Sequence, residues 1–205
     1  MIKAIIFDMD GVLIDATDWH YHALNEALSL FGLEISRELH KYKYDGFPTK
    51  TKLNILVKER ALPKELVSFV SELKQLYTHN YIQLNCHPVF HHKFLLGELK
   101  KNGYKLGLCS NSIRETVEMM LSKSELLSYF DFIFSNQDVA NPKPSPEIYN
   151  KCLKAMQISP KEALIIEDNE YGLKAARGSG ANVLAVKNPS EVTYENIAKK
   201  LSKFI

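Results

Sequence analysis

A chain of 205 residues with 45% hydrophobic content can bury one substantial core and a smaller appended unit. No segment approaches the ~20 apolar residues that a membrane span requires. A formal charge of +2 gives no electrostatic bias towards nucleic acid or an acidic membrane surface. The cysteines (Cys86, Cys109, Cys152) are odd in number and lack metal-ligand spacing, which points to a reduced, cytoplasmic protein. Asp8 and Asp10 interrupt the N-terminal apolar run before it reaches the length of a signal peptide.

In chain order, residues 2–7 read as a short buried strand rich in β-branched residues, followed at once by Asp8-Met9-Asp10-Gly11. Helical patterns dominate residues 15 to about 84: Thr17 to Phe31, Ser36 to Tyr42, Thr49 to Arg60 and Lys64 to Ile82, with turns near Gly32, Gly46 and Pro63. From there strands and helices alternate. A helix over Pro88 to Lys101 stops at Asn102-Gly103. Strand 104–109 follows, then helix 113–123, strand 132–134, helix 146–156, strand 163–166, helix 170–178, strand 182–186 and a closing helix from Glu191 to Lys203. Such alternation predicts an α/β fold, a parallel sheet flanked by helices with right-handed crossovers and the first strand near its centre.

Polar clusters fall after or near these strands. Asp is depleted from strands and costly to bury unpaired, so Asp8 and Asp10 belong at the carboxyl end of the first strand, facing a ligand or a metal. Two such carboxylates can divide labour, one attacking a phosphoryl group and the other handling a proton. Ser110-Asn111-Ser112 follows strand 104–109, and Glu167-Asp168-Asn169 follows strand 163–166. Between them Lys143 lies in the proline-stiffened stretch Asn141 to Pro146. Ligands of open parallel sheets bind outside the carboxyl ends of the strands, so these clusters predict one site. It would be acidic enough for a divalent cation and would carry a hydroxyl and a lysine for an anion.

The ordered set DMDGVL (8–13), SNS (110–112), the lysine of NPKPSPEIY (141–149) and EDNEYGLKAA (167–176) resembles the haloacid dehalogenase superfamily of phosphotransferases over the whole chain. The flanking pattern is similar to the subgroup of β-phosphoglucomutase and small sugar-phosphate phosphatases. The resemblance implies a Rossmann-like catalytic core over 1–14 and 85–205, with a small all-helical cap over 15–84 inserted after the first strand. The cap would exclude water and choose the substrate, moving on linkers near Ile14–Ala16 and Asn85–Pro88. By the same resemblance Asp8 is the nucleophile that becomes an aspartyl-phosphate, and Asp10 the general acid and then base. Mg²⁺ would be held by Asp8, the backbone carbonyl of Asp10 and Asp168, with Glu167 on a metal water. Ser110 and the amide of Asn111 would bind phosphoryl oxygens, and Lys143 would neutralise both phosphate and Asp8. Ser110 also suits an alternative role as the cap of the helix that starts near Ile113, and Glu167 a place at the surface.

Substrate choice is expected on the cap, where His20 in DATDWH matches a histidine of the β-phosphoglucomutase-like chains. The loop Gly46 to Lys50 also aligns, but the mutase's arginine there is Thr49 in this chain, with Lys50 as a displaced substitute. The lysine that the mutase places after its core serine is replaced by Ile113-Arg114. These departures favour a phosphatase acting on a small phosphate monoester such as a sugar phosphate, over a mutase. A non-catalytic domain that binds a phosphorylated ligand or a partner protein is the third reading, against which the intact Asp8, Asp10, Lys143 and Asp168 argue. The expected partner is a small phosphorylated metabolite, with no nucleic acid and no membrane, and the expected state a monomer or weak homodimer. His87 and His91 stand at i,i+4 spacing with His92 beside them, but without further zinc ligands they read as a helix-start surface.

Overall fold

The N-terminal apolar run forms β1 (Ala4–Phe7), whose residues are all buried. The computed structural model describes residues 1–204. It divides into two units, Ala16–Cys86 and a unit made of Met1–Asp15 with the chain from His87 onward.

The helical unit contains α1 (Thr17–Ser29), a single turn α2 (Arg37–Leu39), α3 (Thr49–Lys58) and α4 (Val67–Asn85). The buried residues of α1 are Ala23, Leu24, Ala27 and Leu28, an i,i+4 pattern that lays one face against α4. Leu24, Leu28, Ile35, Tyr44, Leu53 and Val70 belong to one core cluster. The expected helix from Ser36 to Tyr42 is broken up. Ser36 accepts a hydrogen bond from the Leu39 amide, and α2 then widens into a π-helical turn over His40–Tyr44, closed by the Asp45 amide on the His40 carbonyl. That wider turn leaves His40 and Tyr44 buried.

In the other unit the chain runs α5 (Phe90–Lys101), β2 (Lys105–Cys109), α6 (Arg114–Lys123), β3 (Phe132–Phe134), α7 (Glu147–Met156), β4 (Ala163–Glu167), α8 (Glu170–Gly178), β5 (Asn182–Ala185) and α9 (Tyr194–Leu201). The sheet is parallel throughout, in the order β3-β2-β1-β4-β5. β1 is therefore central, as its uninterrupted apolar character requires. One face is covered by α7 and α8, whose Tyr149, Cys152, Met156, Ala175 and Ala176 share a core with Ile6 and Ile165. The closing helix starts later than expected because Thr193, not Glu191, caps it, accepting from the Asn196 amide. Among the described residues no helix is long and apolar enough to cross a membrane.

Register decides where the site lies. Phe7 pairs with Leu108 on one side and with Ile166 on the other. The next residues, Asp8, Cys109 and Glu167, therefore end three adjacent central strands at the same level. The Asp8 amide still donates to the Ile166 carbonyl (3.0 Å), and the Ser110 amide to the Phe134 carbonyl (3.0 Å). The carboxyl ends of the strands gather these polar groups because the apolar sheet interior has no place for them.

Candidate active site

At the end of β1 the chain turns on Gly11, which has a φ of +81°. A Cβ there would overlap the Asp168 carboxylate, so only glycine admits both the left-handed turn and the close approach of Asp168. Asp8 is buried. Its Oδ1 accepts from Lys143 Nζ at 2.6 Å. Lys143 spends its other donors on Glu167 Oε1 (2.6 Å) and the Cys109 carbonyl (2.9 Å), so its ammonium is hydrogen-bonded in full. The loop that delivers it is clasped from two sides. Asn111 Oδ1 accepts from the Lys143 amide (3.0 Å), and its Nδ2 donates to the Lys143 carbonyl (3.3 Å). Glu147 accepts from the Ala140 and Asn141 amides, and these bonds pull its carboxyl down to about 2.

Glu167 is fully buried rather than at the surface. Besides Lys143, its Oε1 accepts from the Tyr149 hydroxyl at 2.6 Å, and its Oε2 from the Asp168 amide at 3.1 Å. Room for this carboxylate comes from Gly172 in the first turn of α8, where a Cβ would overlap it. Asp10 leaves the strand differently. Its Oδ2 accepts from the hydroxyls of Ser112 (3.0 Å) and Ser110 (3.4 Å). Ser110 does not cap α6. Ile113 holds the capping position, and the Arg114 amide donates instead to Gln137 Oε1 at 2.8 Å.

The electrostatics are those of a buried acidic cluster with too little positive charge. Burial, then Glu167, raises the Asp8 carboxyl well above its usual range, and Lys143 only partly opposes them. Burial and Glu167 likewise push Asp168 up to about 7. Burial would lower Lys143, but Asp8 and Glu167 outweigh it and hold the ammonium charged. Carboxylate oxygens of Asp8, Glu167 and Asp168 lie within 4.8 Å of one another, the one such group of three or more metal-capable side chains among the described residues. An all-oxygen, partly buried donor set whose members repel one another fits a hard divalent cation such as Mg²⁺. No comparable group forms around His87, His91 and His92. His92 is buried with its Nε2 3.1 Å from the Pro189 carbonyl, and burial lowers it to about 4.

Asp8, Asp10, Ser110, Asn111, Lys143, Glu167 and Asp168 thus come together in one unit. His20, Thr49 and Lys50 belong to the helical unit, where Lys50 is exposed and Thr49 opens α3. The buried lysines of that unit are others. Lys52 Nζ lies 3.2 Å from His40 Nε2, and Lys74 Nζ lies 3.1 Å from His20 Nδ1. Burial, then Lys52, His20 and Lys74, push His40 down to about 3, so it is neutral beside the lysines. A readable signal existed for Lys74, which falls on the same i,i+4 stripe of α4 as Val70, Thr78 and Ile82. None existed for Tyr149, which looks like any aromatic on the apolar face of α7.

A model of the haloacid dehalogenase-like hydrolases matches residues 5–186 of this chain. The chain is 29% identical over 182 residues to a phosphorylated carbohydrates phosphatase of Thermotoga maritima, covering 87% of this chain and 82% of that protein. It is 32% identical over 203 residues to the pyrophosphatase PpaX of Bacillus thuringiensis, covering 90% and 83%. Among solved structures, a β-phosphoglucomutase from Clostridium difficile is similar with a TM-score of 0.86 at 25% identity, over 100% of this chain and 99% of that one. CbbY from Rhodobacter sphaeroides, solved with xylulose-(1,5)bisphosphate, gives a TM-score of 0.80 at 25% identity, over 90% and 86%.

Proposed function

Since the chain belongs to the haloacid dehalogenase-like hydrolases, we propose that it is a Mg²⁺-dependent phosphatase that hydrolyses a small phosphate monoester, a sugar phosphate, through an aspartyl-phosphate on Asp8. The observation that carries this reading is the buried contact of Lys143 Nζ with Asp8 Oδ1 at 2.6 Å. A binding module has no use for a nucleophile held beside a compensating cation at a strand end. The phosphatases among its relatives support the same reaction class.

In this mechanism an Asp8 oxygen attacks phosphorus and the bond to the ester oxygen breaks. Asp10 protonates the departing oxygen, which makes it the better leaving group. Water then attacks the aspartyl-phosphate. Asp10 takes the proton from it, and inorganic phosphate leaves with Asp8 restored. Ser110 and the Asn111 amide hold the phosphoryl oxygens, and Lys143, its donors taken by Asp8, Glu167 and the Cys109 carbonyl, offsets by its charge the repulsion between an anionic nucleophile and an anionic ester. Asp8, Asp168 and the Asp10 carbonyl would hold Mg²⁺, with Glu167 outside the direct ligands because Lys143, Tyr149 and the Asp168 amide occupy its oxygens. Bound there, the ion supplies positive charge to the phosphoryl oxygens during transfer. The helical unit is assigned to substrate choice as a cap, and the Lys52–His40 and Lys74–His20 pairs support an anionic substrate. His20, Thr49 and Lys50 remain the substrate contacts proposed from the resemblance.

The test is release of phosphate from a panel of sugar phosphates, nucleotides and phosphoglycolate, with Mg²⁺ or EDTA. β-Glucose 1-phosphate is included, and its product is analysed for glucose 6-phosphate. Mg²⁺-dependent release from a sugar phosphate is expected. Conversion to glucose 6-phosphate without net release would instead establish the mutase reading, which the 0.86 TM-score to β-phosphoglucomutase keeps in view.

The acidic cluster also has a signature in stability. Asp168 keeps its proton up to about pH 7 in the fold, whereas an unfolded carboxyl loses it near ~4. Between those values the folded state binds more protons, so stability is fully present below the unfolded pKa and is lost as pH rises through 7. In EDTA, melting temperature is expected to fall between about pH 5 and about pH 8, and Mg²⁺ is expected to raise it more at the higher pH. Equal Mg²⁺ effects at both pH values would remove the cluster as the binding site.

A further inference from the structure

The proposed mechanism leaves the buried hydroxyl of Tyr149 unused. It donates to Glu167 Oε1 at 2.6 Å, the same oxygen that receives Lys143 Nζ at 2.6 Å. The ring of Tyr149 also lies under that ammonium, with Nζ 4.9 Å from its centroid. Tyr149 and Glu167 are fully buried and Lys143 nearly so, so no solvent can replace either contact. The Glu167 carboxylate is fixed from three directions: Tyr149 and Lys143 on Oε1, and the Asp168 amide on Oε2. Gly172, lacking a Cβ, leaves it space on the fourth.

A carboxylate with one torsion free would swing Lys143 with it. The ammonium must stay within reach of Asp8, and its remaining anchor is a single backbone carbonyl, that of Cys109. The geometry points to Tyr149 as a positioning residue: by locking the Glu167 carboxylate, its hydroxyl holds the Lys143 ammonium against Asp8. The inference rests on the proposed phosphatase mechanism for its kinetic consequence, while the placement of Lys143 is observable without turnover. Within α7 the sequence would accept phenylalanine at this position on packing grounds alone, since the ring fills the core with Ile6 and Ile165. The hydroxyl is needed only for Glu167.

Tyr149→Phe keeps the ring and removes that bond. Its kcat is expected to fall about ten-fold with KM within about two-fold of the unmodified enzyme. In a Glu167→Gln background the same change is expected to cost less than about two-fold, since the group it acts through has been altered. A purely structural role would give the same loss in both backgrounds. Independently of activity, the ¹⁵N-labelled Lys143 ammonium should appear by NMR as a slowly exchanging signal that exchanges faster in Tyr149→Phe. In the unmodified protein the Tyr149 hydroxyl proton should itself be slowly exchanging. A Tyr149 hydroxyl exchanging like a surface tyrosine, an unaltered Lys143 signal in the variant, or an additive loss in the double variant overturns the inference. Absence of phosphate release by the unmodified protein defeats the phosphatase reading instead, and leaves the NMR comparison to decide the role of Tyr149.

Discussion

Asp8→Asn should leave a folded protein whose phosphate release is lower by about 10³-fold or more, because an amide oxygen cannot form and release the aspartyl-phosphate. The substitution is nearly isosteric. The amide oxygen can still accept from Lys143, and one member of a mutually repelling acidic group becomes neutral. Burial and Glu167 hold the Asp8 carboxyl well above its ordinary range, so its removal relieves repulsion and should not lower the melting temperature in EDTA. Paired measurements of phosphate release and thermal melting decide the matter. Turnover within about ten-fold of the unmodified enzyme would eliminate Asp8 as nucleophile. A large fall in melting temperature would show that the residue acts mainly in folding.

The second large effect concerns Lys143→Met. Here the cation goes and the buried carboxylates stay. Removing one partner of a buried ion pair typically costs about 3–5 kcal/mol, since the remaining charge has lost its compensation. Asp8 and Glu167 both face Lys143, each at 2.6 Å, which places this site at the upper end of that range. The sign of the pH dependence follows from the same contacts. A lysine whose pKa is raised in the fold contributes its full stabilisation below its unfolded value near ~10.4, so at neutral pH all of that contribution is at stake. Without it the Asp8 and Asp168 carboxyls titrate higher still. The variant should therefore be least stable at alkaline pH and recover as they protonate on acidification, and Mg²⁺ should restore part of the loss. Denaturant unfolding at acidic and alkaline pH, with EDTA and with Mg²⁺, checks this. A pH-independent loss would mean that the lysine contributes packing rather than charge. Phosphate release should fall about 10³-fold even where the variant is folded, because the ester and Asp8 then repel each other unscreened.

Much of the fold was legible because it follows from short-range periodicity. The apolar runs at residues 2–7, 104–109 and 163–166 are too short for helices and too apolar for surface loops, and they form β1, β2 and β4. The alternation of strand and helix after residue 87 implied a parallel sheet, since parallel neighbours need crossover connections. The misread elements lie where a local rule was outweighed. The π-helical turn at His40–Tyr44 extends no sequence periodicity, and the α9 start was decided by the Thr193 hydroxyl rather than by the acidic residue before it.

By itself, then, the sequence determined the α/β architecture and the residue types of the site: carboxylates after β1 and β4, hydroxyls after β2, and a lysine in a proline-bounded loop. Those types must sit at strand ends, because neither the apolar sheet interior nor the helix cores can hold them unpaired. Only the tertiary structure decided how they share contacts. That Glu167 is buried, that Lys143 divides its ammonium among Asp8, Glu167 and the Cys109 carbonyl, and that Tyr149 completes Glu167 all depend on atoms far apart in sequence meeting within hydrogen-bond distance. So does the clearance at Gly11, where the side chain that a Cβ would strike, Asp168, follows another strand. Periodicity reports which face of an element is buried, whereas a hydrogen bond depends on register between elements to within a few tenths of an ångström.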